Sequence, residues 1–300
     1  MSDIKTVLIT GTNSGFGFLT TRTLLKNGYT VVATMRDIEG RNKNAASELQ
    51  KYAGKSPGTV HIIELDVTSD LSVEQGIQKA LDLAGHLDVV INNAGFGVGG
   101  FAETFTVEQW QYVFEVNVFG VLRVSRAVLP AMRKAGSGLI LQVSSVMGRI
   151  VLPYAAPYSA TKWALEAMSE SLRYELASTG VDVAIVEPGG FLTGFGERMM
   201  IPEDEARVAS YGPLADMPQK MWGGLMEQLA GENAPDPQEV ADAILELIET
   251  PAGLRPLRTV VDPLTGGEAG KTINQTSEMV QSELFEQFGI TPTHKERVSA

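Results

Sequence analysis

The 300-residue chain has no cysteine, which excludes disulfides, thiolate zinc sites and cysteine nucleophiles. Its three histidines, His61, His86 and His294, lie far apart and in no metal-ligand spacing, so no metal is expected. Basic residues are in deficit: 24 Lys and Arg stand against 36 Asp and Glu, a formal net charge of −12. That balance argues against a nucleic acid partner, which needs clustered cations. No apolar run approaches the roughly 20 residues that span a bilayer. The opening "MSDIK" passes directly into the apolar "TVLIT" without a secretory pattern. A soluble, cytoplasmic protein is the expectation.

What the chain does contain is alternation. At 44% hydrophobic and 20% charged it has an ordinary globular composition. Short runs rich in Val and Ile recur at 6–10, 30–35, 60–65, 87–91, 138–144, 181–187 and 257–261. Nearly continuous apolarity marks strands covered on both faces. Helical patterns at 15–27, 41–53, 71–84, 107–134, 158–178 and 237–249 separate them. This order predicts an α/β doubly wound parallel sheet, a Rossmann fold, as a single domain over 1–262. The Met-, Gly- and Pro-rich stretch 194–235 reads as a substrate lid inserted between strand and helix. Residues 263–300 read as a C-terminal extension whose one amphipathic stretch, "INQTSEMVQSELFEQF", packs on the body.

The first strand runs into "TGTNSGFG", Thr10 to Gly17. Gly11, Gly15 and Gly17 allow a tight turn, backbone approach to a pyrophosphate and close helix–strand packing. The helix start at Asn13, Ser14 and Phe16 offers N–H groups and a positive dipole end to the phosphates. Past the second strand the sequence is "ATMRD". Where an acidic residue would accept the ribose hydroxyls of NAD stands Met35, followed by Arg36, whose guanidinium suits a 2′-phosphate. NADP is therefore expected, with NAD possible. Asp37 complicates the reading, since it either repels that phosphate or turns to solvent.

In "VSSVMGRIVLPYAAPYSATK", Tyr158 and Lys162 are i and i+4 on a helix and share a face. An ammonium beside a phenol favours phenolate, and a fall of about two pKa units from about 10 corresponds to roughly 2.7 kcal/mol. Tyr158 then becomes a proton donor or acceptor for a carbonyl or alcohol oxygen. A serine hydrogen-bonding the same oxygen would complete the set. Strand alternation alone does not choose between Ser144 and Ser145.

Taken together, "TGTNSGFG", "LDVTS" (65–69), "NNAG" (92–95), "NVFG" (117–120), "SSVMG" (144–148), "YSATK" and "PGGFLT" (188–193) resemble the short-chain dehydrogenase/reductase family in order and spacing over about residues 4 to 262. The resemblance implies an NADP-dependent interconversion of an alcohol and a ketone or aldehyde. It points to Ser145 as the catalytic serine, to Lys162 as also holding the nicotinamide ribose, and to Asn117 as fixing a water beside that lysine. It matches Asp66 and Val67 to adenine contacts and Asn93, Ala94 and Gly95 to a turn along the cofactor. Pro188, Gly189, Phe191 and Thr193 match the segment that grips the nicotinamide.

Residues expected around the substrate are apolar: Phe96, Val98, Met147, Leu152, Tyr154 and Phe195, with Met199, Met200 and Tyr211 from the lid. Arg149 and Arg198 are the cations available to grip a charged group. A moderately large apolar alcohol or ketone is expected, and "NNAGFGVGGF" and "PGGFLTGF" are similar to stretches of hydroxysteroid and retinol dehydrogenases. The resemblance also implies a homodimer or homotetramer built on the helices at 107–134 and 158–178. The competing reading is a non-catalytic NADP-binding sensor on the same fold, which predicts the loss of a catalytic residue. Asn117, Ser145, Tyr158 and Lys162 are all present.

Overall fold

The computed structural model describes residues 5–194 and 196–290. Seven parallel strands form one sheet: β1 (Thr6–Thr10), β2 (Thr30–Met35), β3 (Thr59–Glu64), β4 (Val89–Asn92), β5 (Gly138–Val143), β6 (Val181–Pro188) and β7 (Arg258–Val261). Their spatial order is β3-β2-β1-β4-β5-β6-β7. The order reverses at β1, which pairs with β2 on one side and β4 on the other. Crossovers leave β1 and β4 toward opposite faces there, opening a crevice at the carboxyl ends of the strands.

The helices are α1 (Gly15–Lys26), α2 (Lys43–Ala53), α3 (Asp70–Ala84), α4 (Val107–Phe114), α5 (Gly120–Ala135), α6 (Ala156–Leu176), α7 (Glu205–Ser210), α8 (Met217–Leu229), α9 (Gln238–Glu249) and α10 (Glu268–Gln287). Side chains alternate across each strand, so the apolar runs feed two cores. Val7, Ile9, Val31 and Ile91 pack with Leu24 and Leu25 of α1 and Val240 and Ile244 of α9. Leu8, Val32, Val90 and Ile140 pack with Val73 of α3, Val124 and Val128 of α5 and Leu176 of α6. Each fully buried aliphatic side chain contributes about 1.5–3 kcal/mol.

Most element ends shift by one or two residues, and three regions depart from the sequence reading in ways that bear on the site. The expected helix 107–134 is α4 and α5 joined by a π-helical segment, Glu115–Phe119. Asn117 lies inside it, with its carboxamide bonded to Phe96 in the loop after β4 and to Thr161 of α6, and such wide turns favour functional positions. β5 stops at Val143, one residue short, although Ser144 N still donates to Val186 O of β6 at 2.8 Å. Residues 194–235 contain two helices, α7 and α8, and Val98 bridges Met200 in parallel. α10 docks through Tyr174 and Phe285, whose rings meet edge-on at 5.3 Å, and through Asn274 Nδ2, which donates to Glu187 Oε2 at 2.6 Å. Among the described residues no helix is long and apolar enough to cross a membrane.

Candidate active site

The loop between β1 and α1 is shaped by its glycines and held by β4. Gly11 and Gly15 have φ of 70° and 55°, the left-handed region where a side chain is strained. Gly17 is required for a different reason: a Cβ there would collide with Asn93 Nδ2 and lie 2.5 Å from Gly11 O. Asn93 Nδ2 donates to Thr10 O at 2.9 Å and Gly11 O at 3.0 Å. Thr10 Oγ1 accepts from the amides of Asn93 and Ala94, both at 3.0 Å. Asn93 thus fixes the loop from behind. The first turn of α1 has no acidic residue, and the Ser14 side chain does not cap it. Its N–H groups and dipole are therefore free to meet an anion, as a dinucleotide pyrophosphate requires.

Arg36 lines the same cleft, with Nη1 3.8 Å from Asp66 Oδ2. Asp37 adopts φ 50°, and its Oδ2 accepts from the Arg41 amide at 3.0 Å. Its carboxylate is therefore spent on the turn into α2 and on pairing with Arg41 at 3.8 Å. Arg41 and Asn42 also line the cleft. Sequence reasoning missed Arg41, because the left-handed Asp37 that folds it back is invisible in spacing. Asp66 does not cap α3; that is done by Ser69, whose Oγ accepts from Ser72 N. Asp66 Oδ1 instead accepts from Thr68 N at 2.9 Å and Thr68 Oγ1 at 2.8 Å. Val67 lies against Gly120, where a Cβ would come within 2.8 Å of Val67 Cγ2.

The four residues singled out for chemistry converge behind β5. Ser145 Oγ is hydrogen-bonded with the Tyr158 side chain, accepts from Met147 N at 3.1 Å and reaches Pro188 O at 3.4 Å. Ser144 is also buried beside the cleft, but its Oγ has no protein partner. Lys162 Nζ donates to Val143 O at 2.8 Å and lies 5.6 Å from the centre of the Tyr158 ring. Burial pushes the Tyr158 phenol up to about 12, opposed by the Ser145 hydrogen bond. Burial pushes the Lys162 ammonium down to about 8, opposed by Glu166. The expected lowering of the phenol by the lysine is not what this geometry produces. The ammonium is held by a backbone carbonyl, and burial is the largest effect on the phenol. Asn117 is 1% exposed, and its Oδ1 accepts from Phe96 N at 3.1 Å. Its Nδ2 donates to Phe96 O at 3.0 Å and Thr161 Oγ1 at 3.1 Å. It is a brace between the β4 end and α6, set back from the cleft wall.

One cavity of about 720 Å³ joins these parts. Its lining includes Gly11, Asn13, Ser14, Phe16, Arg36, Asp66 and Val67, then Ser145, Tyr158 and Lys162, and also Pro188, Gly189, Phe191 and Thr193. Gly189 has no room for a side chain, since a Cβ would strike Asp262. Phe16 and Phe191 pack edge to face at 5.5 Å. Much of the remaining wall is apolar: Phe96, Val98, Met147, Leu152, Met199 and Met200 all line it, together with Arg198.

Other expected substrate contacts fall elsewhere. Tyr154 does not line the cavity: it has φ 63°, its carbonyl accepts from Gly100 N at 2.9 Å, and its ring packs edge-on to Phe101. Tyr211 stacks on Phe101 at 3.7 Å and donates to Glu103. Arg149 borders a groove under α10, and Phe195 lies outside the described residues. In their place α8 supplies Trp222, Leu225, Met226 and Leu229. Their i, i+3, i+4, i+7 spacing is an amphipathic stripe that was readable in the sequence.

A dinucleotide cleft at the switch point of a parallel sheet, opening onto a buried Ser–Tyr–Lys cluster, defines an NAD(P)-dependent oxidoreductase. The short chain dehydrogenase family matches residues 5–203. Human retinol dehydrogenase 8 is 34% identical over 251 residues, 82% of this chain and 78% of that protein. A short-chain dehydrogenase from Streptomyces avermitilis superposes with a TM-score of 0.74 at 32% identity, covering 96% of this chain and 98% of that one. A variant of actinorhodin polyketide ketoreductase with NADPH does so at 0.71 and 29% identity, covering 89% and 98%. The chain belongs to the short-chain dehydrogenase/reductase family.

Proposed function

We propose that this enzyme interconverts a moderately large apolar ketone or aldehyde and its alcohol with NADP(H), Tyr158 acting as general acid and base. The observation that carries the reading is the Ser145–Tyr158 hydrogen bond, buried with Lys162 in a cavity lined both by the glycine loop and by apolar side chains. When bound, the cofactor supplies or accepts the hydride. The glycine loop and α1 would hold its pyrophosphate, and Arg36 with Arg41 its 2′-phosphate. Ser145 hydrogen-bonds the substrate oxygen. Tyr158, protonated at neutral pH, gives that oxygen its proton in reduction and takes it back in oxidation. Lys162 would place a positive charge and a hydrogen-bond donor beneath the reacting groups, and Asn117 holds Thr161 and the Phe96 backbone in register with it.

The apolar wall built by Phe96, Met147, Leu152, Met199, Trp222 and Met226 supports a large, weakly polar substrate, and Met side chains adapt to its shape. Residues 194–235 serve as the lid over a domain spanning 1–262, with 263–300 as its extension. Exposed Phe119, Leu122 and Trp163 on α5, its preceding turn and α6 support self-association through those helices. The test is a panel of steroidal, aromatic and aliphatic carbonyls with NADPH or NADH, followed by cofactor absorbance. Turnover of bulky apolar ketones with NADPH is expected. Tight NADPH binding with no turnover of any carbonyl overturns catalysis in favour of a dinucleotide sensor.

A further inference from the structure

Behind the catalytic lysine lies a buried ionic cluster that the hydride-transfer chemistry does not use. Glu166 is one helical turn beyond Lys162 and shares its face of α6; the two side chains are 2% and 6% exposed. Arg258 of β7 donates to Glu166 Oε2 at 2.8 Å and Glu170 Oε2 at 2.6 Å, and stands 3.5 Å from Glu187 Oε1. Asn274 of α10 donates to the other Glu187 oxygen, and Arg149 is near enough to act on Glu187 electrostatically. Three carboxylates therefore share one guanidinium in a region shielded from water. Glu166 Oε1 is buried with no protein hydrogen bond. A Cβ on Gly148 would meet Glu166 Cγ at 2.9 Å, Ser144 Oγ at 3.0 Å and Lys162 O at 3.2 Å, so the Glu166 stem packs beside Ser144 and the Lys162 backbone. The carboxylate is thus pinned by one oxygen to Arg258, while its second oxygen is buried without a protein hydrogen bond.

We propose that Glu166 is a positioning residue for the reaction, the buried counter-ion that keeps the Lys162 side chain an ammonium at the floor of the active site. An ammonium that donates one hydrogen bond to Val143 O and is otherwise desolvated needs a second source of negative potential to stay charged. Glu166, Glu170 and Glu187 all meet the Arg258 guanidinium, and of the three only Glu166 is one helical turn from Lys162 on the same face of α6. Glu166 is the carboxylate that acts on Lys162 directly. The inference rests on Lys162 being the working lysine, yet its test does not depend on turnover.

The experiment is competitive labelling of the intact enzyme with acetic anhydride across pH 6–11, quantifying the Lys162 peptide by mass spectrometry. The wild-type Lys162 midpoint should fall near pH 8, and Glu166→Gln should lower it by about one pH unit or more. Glu170→Gln, which removes a neighbouring carboxylate on the same guanidinium, should leave it within a few tenths. If Glu166→Gln does not fold, Glu166→Asp, which withdraws the carboxylate by one methylene, should give a smaller fall in the same direction. An unchanged midpoint in the folded Glu166 variant overturns the inference, as does an equal fall in Glu170→Gln. A fall in midpoint with unaltered carbonyl reduction leaves Glu166 as the counter-ion and instead refutes the catalytic reading of Lys162.

Discussion

Lys162 Nζ sits 5.6 Å from the centre of the Tyr158 ring and donates a hydrogen bond to Val143 O at 2.8 Å. The lysine lies against the tyrosine ring, and the tyrosine side chain is hydrogen-bonded with Ser145. Proton transfer and charge therefore belong to different contacts of one cluster, and substitutions should separate them. Tyr158→Phe should lower kcat by about 10²–10⁴ while NADPH affinity, read by fluorescence titration, changes little. Ser145→Ala should cost about 10²–10³ in kcat, and Ser144→Ala far less. Equal losses from the two serines would refute the assignment of Ser145.

The pH profile follows from the same pair. Tyr158 stays protonated until about pH 12, and Lys162 keeps its charge only below about pH 8. Carbonyl reduction needs both protons in place, so kcat/KM should be level from pH 6 to 7 and decline through pH 8. Alcohol oxidation, which needs the phenolate, should gain on reduction as pH rises. A reduction rate that stays level to pH 10 would remove Lys162 as the group controlling the limb.

Cofactor choice should respond to two arginines. A charge-assisted hydrogen bond contributes about 1.5–3 kcal/mol, so Arg36→Ala and Arg41→Ala should each raise KM for NADPH roughly tenfold to a hundredfold. KM for NADH should change little, because the 2′-phosphate is the group they would hold. Parallel changes for both cofactors would place the arginines elsewhere in the reaction.

Gly17→Ala tests the loop. The new methyl meets Asn93 Nδ2 and Gly11 O, and overpacking of that kind costs about 1–3 kcal/mol. Denaturant unfolding should show the loss of stability, and NADPH binding should weaken with it, because Asn93 would release Thr10 and Gly11.

Glu187 gives the fold its own pH dependence. Burial and the neighbouring Glu166 raise its carboxyl to about 7, against Asn274, Arg258 and Arg149. A group whose pKa is higher folded than unfolded stabilises the protein in its protonated form. That contribution is full below about pH 4.3, the unfolded value, and is lost as pH rises through 7. Thermal melts should show Glu187→Gln gaining on wild type between pH 5 and pH 8. A constant difference across that range would contradict the raised carboxyl.

The seven strands, the glycine loop, and the Tyr158–Lys162 pair were legible because each rests on local order: apolar runs, turn residues, or two positions one helical turn apart. The family resemblance, carried by short motifs in sequence order, chose Ser145 over Ser144. Contacts between distant segments decided the rest. The Asp37 carboxylate is used up by a left-handed turn, which brings Arg41 to the cleft. Tyr154 was read as a pocket residue, yet its ring packs on Phe101 and leaves the wall to α8, whose apolar stripe was legible but not its destination. Burial, a property of the whole packing, turned the expected lowering of the Tyr158 phenol into a rise. Glu166, Glu170, Glu187 and Arg258 come from α6, β6 and β7, so no spacing along the chain announces their cluster. Local propensity wrote the elements into the sequence, but desolvation and charge balance exist only after distant elements close around the same atoms.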